Sequence, residues 1–117
     1  MSLLNAQDKD NLPTLNSTEE IEDPMVYVKL YNPMGDESVF VTEYDGYDMV
    51  FGYRTVSGYD DSEGYFSLVE LAGQRYVKDI YFEPCALSSA LDDESKIMGA
   101  DNKKEESIKT TKIKDLL

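Results

Sequence analysis

The sequence predicts a small α+β domain: a mostly antiparallel meander sheet of four to five strands with one short helix packed on it. Three observations predict it. Side chains alternate with a period of two across residues 25–55 and again across 76–83, the signature of half-buried strands. Clusters of Asn, Pro, Gly and Asp interrupt the alternation at short intervals, which suits hairpins rather than long crossovers. One brief stretch, Ser67 to Gly73, carries a helix-start signal with a stop close behind it.

Residues 1–22 are polar and punctuated by Asp, Glu, Asn, Ser, Thr and Pro13. They read as a leader strapped loosely to the domain through Leu12 and Leu15. From Met25 onward, Val26, Val28 and Leu30 alternate with Tyr27, Lys29 and Tyr31 and predict the first strand, which Asn32-Pro33-Met34-Gly35-Asp36 ends. The second strand covers Ser38–Tyr44, with Val39, Val41 and Glu43 on one face and Phe40, Thr42 and Tyr44 on the other. Asp45-Gly46 is a favoured type I′ hairpin pair, because both central positions of that turn need positive φ. The third strand, Asp48–Thr55, sets Met49, Phe51 and Tyr53 against Val50, Gly52 and Arg54.

Ser57–Gly64 reads as an acidic loop and Tyr65-Phe66 as a short strand. Ser67-Leu68-Val69-Glu70 then spells a capping box, in which Ser67 accepts from the Glu70 amide while the Glu70 side chain reaches back. Gly73 is placed to end the helix in a left-handed C-cap. A last strand spans Tyr76–Glu83 and stops at Pro84, and Ala86–Leu91 makes one helical turn. The domain proper is 23–91. Residues 92–117 are dense in mixed charge with sparse apolar side chains and read as a disordered tail. The alternative there is a helix over Lys103–Leu117 that forms on a partner.

A chain of 117 residues is one domain by size. No apolar run approaches the roughly 20 residues that cross a bilayer, so no membrane role is expected. MSLLNAQDKD lacks the basic start and apolar core of a secretory signal. Cys85 is the only cysteine and can make no internal disulfide, so a reducing cytoplasm is the expected address. Histidine is absent, which removes the commonest general base, the commonest zinc ligand and every Ser-His or Cys-His nucleophile. Any catalysis would fall to carboxylates, tyrosines, Lys or Arg. Gly52, Gly58 and Gly64 make no phosphate-binding pattern, and no cofactor is expected.

Charge narrows the partners. Residues 1–91 hold 17 acidic against 5 basic side chains, a net −12 of the total −13. Such a surface repels phosphate backbones, so direct nucleic-acid binding is disfavoured while basic proteins and metal cations stay open.

Two carboxylate groups stand near turns: Glu43, Asp45 and Asp48 around one hairpin, and Asp60, Asp61 and Glu63 in the acidic loop. Hard oxygen ligands so placed suit Mg²⁺ or Ca²⁺. Turn chemistry accounts for the same residues, and neither group has EF-hand spacing, so no metal site is expected. Tyrosine is the skewed aromatic, nine against no tryptophan, and Tyr44, Tyr47, Tyr53, Tyr59 and Tyr65 crowd the middle of the chain. Tyrosine enriches interface patches, and it equally suits the half-buried face of a small sheet.

Four segments carry a resemblance: Val26-Tyr27-Val28-Lys29-Leu30-Tyr31-Asn32-Pro33, Thr42-Glu43-Tyr44-Asp45-Gly46 with Phe51-Gly52-Tyr53, Gly64-Tyr65-Phe66-Ser67-Leu68-Val69-Glu70-Leu71, and Asp79-Ile80-Tyr81-Phe82-Glu83-Pro84. In this order the run Glu22–Leu87 resembles a "domain of unknown function" family of short acidic proteins found on bacterial plasmids, phages and integrative elements. The chain departs from the pattern in a shorter link over Ala72–Lys78 and in its charged tail. The resemblance implies a stand-alone cytoplasmic domain in a mobile-element setting and brings no catalytic assignment.

The functional expectation is a non-enzymatic protein-interaction module. Its partner is a protein that is basic or nucleic-acid-binding, and its surface comprises Glu43, Tyr44, Asp45, Tyr47, Asp48, Tyr53, Tyr59, Asp60, Asp61, Glu63 and Tyr65. One version is inhibition of a host nucleic-acid-binding protein by carboxylates standing where phosphates would sit. The alternative is a small metal-dependent hydrolase using Glu43, Asp45 and Asp48. Oligomeric state is not legible in the sequence.

Overall fold

The structure, a computed structural model, describes residues 3–56 and 60–100, with side chains over 3–56 and 62–93. In chain order the elements are α1 (Ala6–Asn11), β1 (Met25–Val26), β2 (Val28–Tyr31), β3 (Glu37–Tyr44), β4 (Met49–Val56), β5 (Asp60–Ser67), α2 (Leu68–Gly73), β6 (Val77–Lys78), β7 (Cys85–Ala86) and α3 (Leu87–Ala100). Five strands form an antiparallel sheet in the order β5-β4-β3-β2-β6, and β1 pairs with β7 beside it. The α+β class and the antiparallel meander follow the sequence reading, since β2 to β5 are consecutive neighbours.

β3 lies at the centre and is buried from Ser38 to Tyr44. Both of its faces are covered, so Ser38, Thr42 and Glu43 are buried along with Val39, Phe40, Val41 and Tyr44. On one face Val28, Leu30, Val39, Val41, Tyr44 and Val50 pack with Leu4, Leu12, Leu68, Leu71 and Tyr76. On the other, Phe40 packs with Val26, Leu87 and Ala90, so α3 and the β1–β7 ladder cover that side. Each fully buried side chain of this kind contributes about 1.5–3 kcal/mol.

A β-bulge corrects the face assignment of the second strand. The β3–β4 register passes from Val41↔Gly52 to Glu43↔Phe51, leaving Thr42 as the extra residue. Beyond the bulge the alternation inverts. Tyr44 joins the core of Val39 and Val41, and Glu43 stands opposite Phe51 on the other face. Gly52 is required at this close approach, because a Cβ there would lie 2.3 Å from the Phe40 carbonyl oxygen.

The leader is not loose. Leu4 and Leu12 are buried in the main core, and α1 carries its own capping box, with Asn5 Oδ1 accepting from Asp8 N at 2.8 Å and Asp8 Oδ2 from Asn5 N at 3.0 Å. Lys78 Nζ reaches Asp8 Oδ2 at 2.6 Å, and Tyr44 N donates to Pro13 O at 2.9 Å. A six-residue helix is unstable alone; these contacts hold it.

Four further differences have local causes. The β3–β4 turn is not type I′: Gly46 alone has positive φ within it, and the Asp45 side chain organises a longer loop. The predicted acidic loop gives up residues 60–64 to β5, an outer strand whose exposed positions need no apolar pattern. The predicted strand 76–83 shrinks to Val77–Lys78: Asp79 Oδ1 accepts from Tyr81 N at 3.0 Å, an Asx turn that bends the chain away. Helix α3 runs to Ala100, past both the single turn and the start of the tail expected from sequence. Asp23 caps it, accepting from Ser88 N and Oγ at 2.9 and 2.7 Å. Residues 101–117 and Tyr59 lie outside the described residues.

Candidate functional site

The bulge that inverts β3 places Glu43 on the face where β4 and β5 raise their aromatic side chains. Phe51 lies edge-on to both neighbours, 5.0 Å from the Tyr65 ring and 6.0 Å from the Tyr53 ring between centroids. Alternation along β4 sets Phe51 and Tyr53 on one side, and the register Phe51↔Tyr65 and Tyr53↔Glu63 adds the two β5 residues. The chain over residues 15–24 forms the opposite wall. Together they enclose an open cleft of ≈ 330 Å³, and no Lys or Arg is among its described lining residues.

Glu43 anchors that wall. It is 1% exposed; Oε1 accepts from Asn16 N at 2.6 Å, and Oε2 accepts from Thr18 N at 2.9 Å and from Thr18 Oγ1. A buried carboxylate is tolerable when its lone pairs are met in this way. Asn16 takes a left-handed φ of 68°, which a short polar side chain accepts more readily than most, and its Oδ1 accepts from Tyr65 OH at 2.7 Å. The phenol is therefore held while its ring stays 54% exposed. Glu19 and Glu63 add acidic side chains to the cleft, and Ile21 and Pro24 add apolar ones.

The other expected site residues are elsewhere, and several have structural duties. Asp45 Oδ1 accepts from the amides of Tyr47, Asp48 and Met49 at 2.7, 3.0 and 3.1 Å. These donors, the Tyr47 N–H foremost, hold its carboxyl below the usual carboxylate range. Asp48 serves the helix: Oδ2 accepts from Ser67 Oγ, and Oδ1 from Val69 N at 2.9 Å, so it meets a first-turn amide other than the Ser67 N–H that the capping box assigns to Glu70. Ser67 Oγ accepts from Glu70 N at 3.2 Å, as the sequence predicts. Tyr44 is buried and its OH donates to Tyr47 O at 3.3 Å. Burial, with the charges of Asp45 and Asp48 behind it, pushes this phenol above its usual range.

The expected surface thus divides. Glu43, Tyr53, Glu63 and Tyr65 come together, with Glu43 as a buried anchor rather than an exposed acid. Tyr44, Tyr47 and Asp48 line a separate cleft against Leu68 and Val69. Tyr47, 89% exposed, stands at the hairpin tip. Asp60 and Asp61 lie on β5 with side chains outside the described set. Glu43, Asp45 and Asp48 do not converge, and among the described residues no group of three or more Cys, Asp or Glu could hold a metal ion.

Asn16, Thr18, Glu19, Ile21 and Phe51 are site residues that sequence reasoning passes over. Phe51 was legible, being two positions from Tyr53 on a predicted strand. The leader residues carry no local signal, because Glu43 meets Asn16 and Thr18 across 27 and 25 positions. A further cleft near Cys85 holds no activated thiol: burial, then the charges of Asp93 and Asp23, pushes the sulfhydryl above its usual range.

No helix of the described residues is long and apolar enough to cross a membrane. No family model, curated protein or solved structure matches the chain.

Proposed function

We propose that this protein is a cytoplasmic, non-enzymatic interaction module of a plasmid, phage or integrative element, which binds and modulates a basic or nucleic-acid-binding host protein. The observation that carries the reading is the Phe51–Tyr53–Tyr65 strip beside Glu19, Glu43 and Glu63, in a cleft whose described lining has no basic side chain. Aromatic rings supply contact area at low entropic loss and attract cations over their faces, and carboxylates beside them favour Lys or Arg over acidic groups. The acidic balance of the chain, −13 overall, keeps nucleic acid itself away and draws basic proteins in. No observation favours the metal-dependent hydrolase, since Glu43 and Asp48 line different clefts.

Affinity capture from a host lysate with the intact chain and with Tyr65→Ala tests this. Basic or nucleic-acid-binding proteins should be recovered by the parent chain at low salt, released at high salt and depleted several-fold by the substitution, which should still unfold in one cooperative transition. Recovery that ignores both salt and Tyr65 sinks the reading.

A further inference from the structure

β5 is an outer strand of the five-stranded sheet, and among the described residues it pairs with β4 alone. It runs from Asp60 to Ser67 with no proline to interrupt it. One hydrogen bond fixes which of its backbone groups face outward. Leu68 N donates to Asp48 O at 2.9 Å, and this contact continues the register that pairs Met49 with Ser67. In an antiparallel ladder, opposed residues alternate between pairs that exchange hydrogen bonds and pairs that do not. Ser62, Gly64 and Phe66 therefore direct their N–H and C=O groups to β4, and Glu63 and Tyr65 direct theirs away from the sheet. The side chains of those same two residues line the aromatic cleft. Edge and cleft are one continuous surface.

We propose that this edge accepts an extended, basic segment of the partner protein as an added strand, seating its Lys or Arg side chains in the cleft. The inference rests on the protein-interaction reading and states how that same face recognises its partner. Strand addition draws affinity from main-chain hydrogen bonds and specificity from alternate side chains. Here Glu63 and Tyr65 supply the first, and Phe51, Glu19 and Glu63 the second.

Charge chooses the occupant. β5 contains Asp60, Asp61 and Glu63 and no basic residue. Sheets commonly guard an open edge with charge, and this guard has a single sign. A second copy of the chain would set acidic strand against acidic strand, which is unfavourable for directly opposed side chains. A basic strand meets opposite charge along the edge and places its cations over the Phe51 and Tyr65 rings.

The experiment uses amide hydrogen exchange on the intact chain with a ten-residue peptide alternating lysine and threonine. Two further peptides are N-methylated on every second amide, in opposite phases. The parent peptide should slow exchange at the Glu63 and Tyr65 amides by about tenfold or more. N-methylation in one phase should weaken binding by roughly tenfold, while the other phase leaves it within about twofold, because only alternate amides face the edge. Equal effects of both phases overturn the proposal, as does equal binding of a glutamate–threonine peptide or no binding at all. Protection of the two amides without peptide also overturns it, pointing to a second copy if it varies with protein concentration and to the chain itself if it does not. Should Tyr65-dependent capture of basic proteins persist while these amides stay unprotected, strand addition fails and the interaction reading stands.

Discussion

Arg75 occupies the left-handed conformation at the end of α2, with φ 72°. Its N–H donates to Ala72 O and that of Tyr76 to Leu71 O, each at 3.0 Å, the paired bonds of a Schellman motif. Leu71 and Tyr76 are both buried, so the apolar contact that accompanies the motif is also made. Gly73 is the last residue of α2, where the sequence places the stop, but the left-handed position falls two residues later at Arg75, which brings Tyr76 into the core with its OH donating to Glu37 at 2.5 Å. A left-handed non-glycine residue is strained, so Arg75→Gly should raise stability by about 0.5–1 kcal/mol in urea denaturation. A loss of stability would mean that the arginine side chain holds the turn. At this scale the sequence was legible where chemistry is local, as at Ser67 and Asp45. It was silent where one residue answers another far away, as Glu43 answers Thr18.

Among the elements, β2 and β4 were legible because half-buried strands alternate, and β3, buried on both faces, was legible as a β-branched and aromatic run between turn signals. β5 was legible only at Tyr65-Phe66, for an outer strand can be polar without penalty, and the acidic run over 60–63 mimics a loop. α1 was missed for a different reason: its apolar residues flank the helix rather than lie within it. Leu4 is 2% exposed and Leu12 is 8% exposed, and both belong to the main core. Leu4→Ala should therefore cost about 2–4 kcal/mol in the same denaturation measurement, the range of a buried leucine cavity. A cost near zero would restore the loose leader that composition suggests. The candidate cleft depends on the same segment, since its far wall is the chain that follows α1.

For the molecule as a whole, pH tests the ledger of buried and bonded groups. Among the described residues three carboxyls sit below their usual range: Asp23 through Ser88 Oγ and N–H, Glu37 through Tyr76 OH and then Arg54, and Asp45 through backbone amides led by Tyr47. Groups lowered by folding contribute stability that is present above the unfolded carboxyl value of about 4 and is lost as pH falls through the folded values. Tyr44 and Tyr76 are raised, chiefly by burial, so their contribution is present below about pH 10 and is lost as pH climbs through their folded values. Melting temperature should be level between roughly pH 5 and 9 and fall on both sides, with Glu37→Gln flattening the acid limb; an acid limb unchanged by that substitution would remove Glu37 from the account. The Asp8–Lys78 contact has a consequence of another kind, for it joins positions 70 apart. During synthesis α1 emerges before the sheet yet cannot make this contact until Lys78 has cleared the ribosome. For most of that journey Leu3 and Leu4 travel uncovered, so an element made before the sheet is among the last to find its place, and the nascent protein passes through a window in which holding factors or aggregation compete for it.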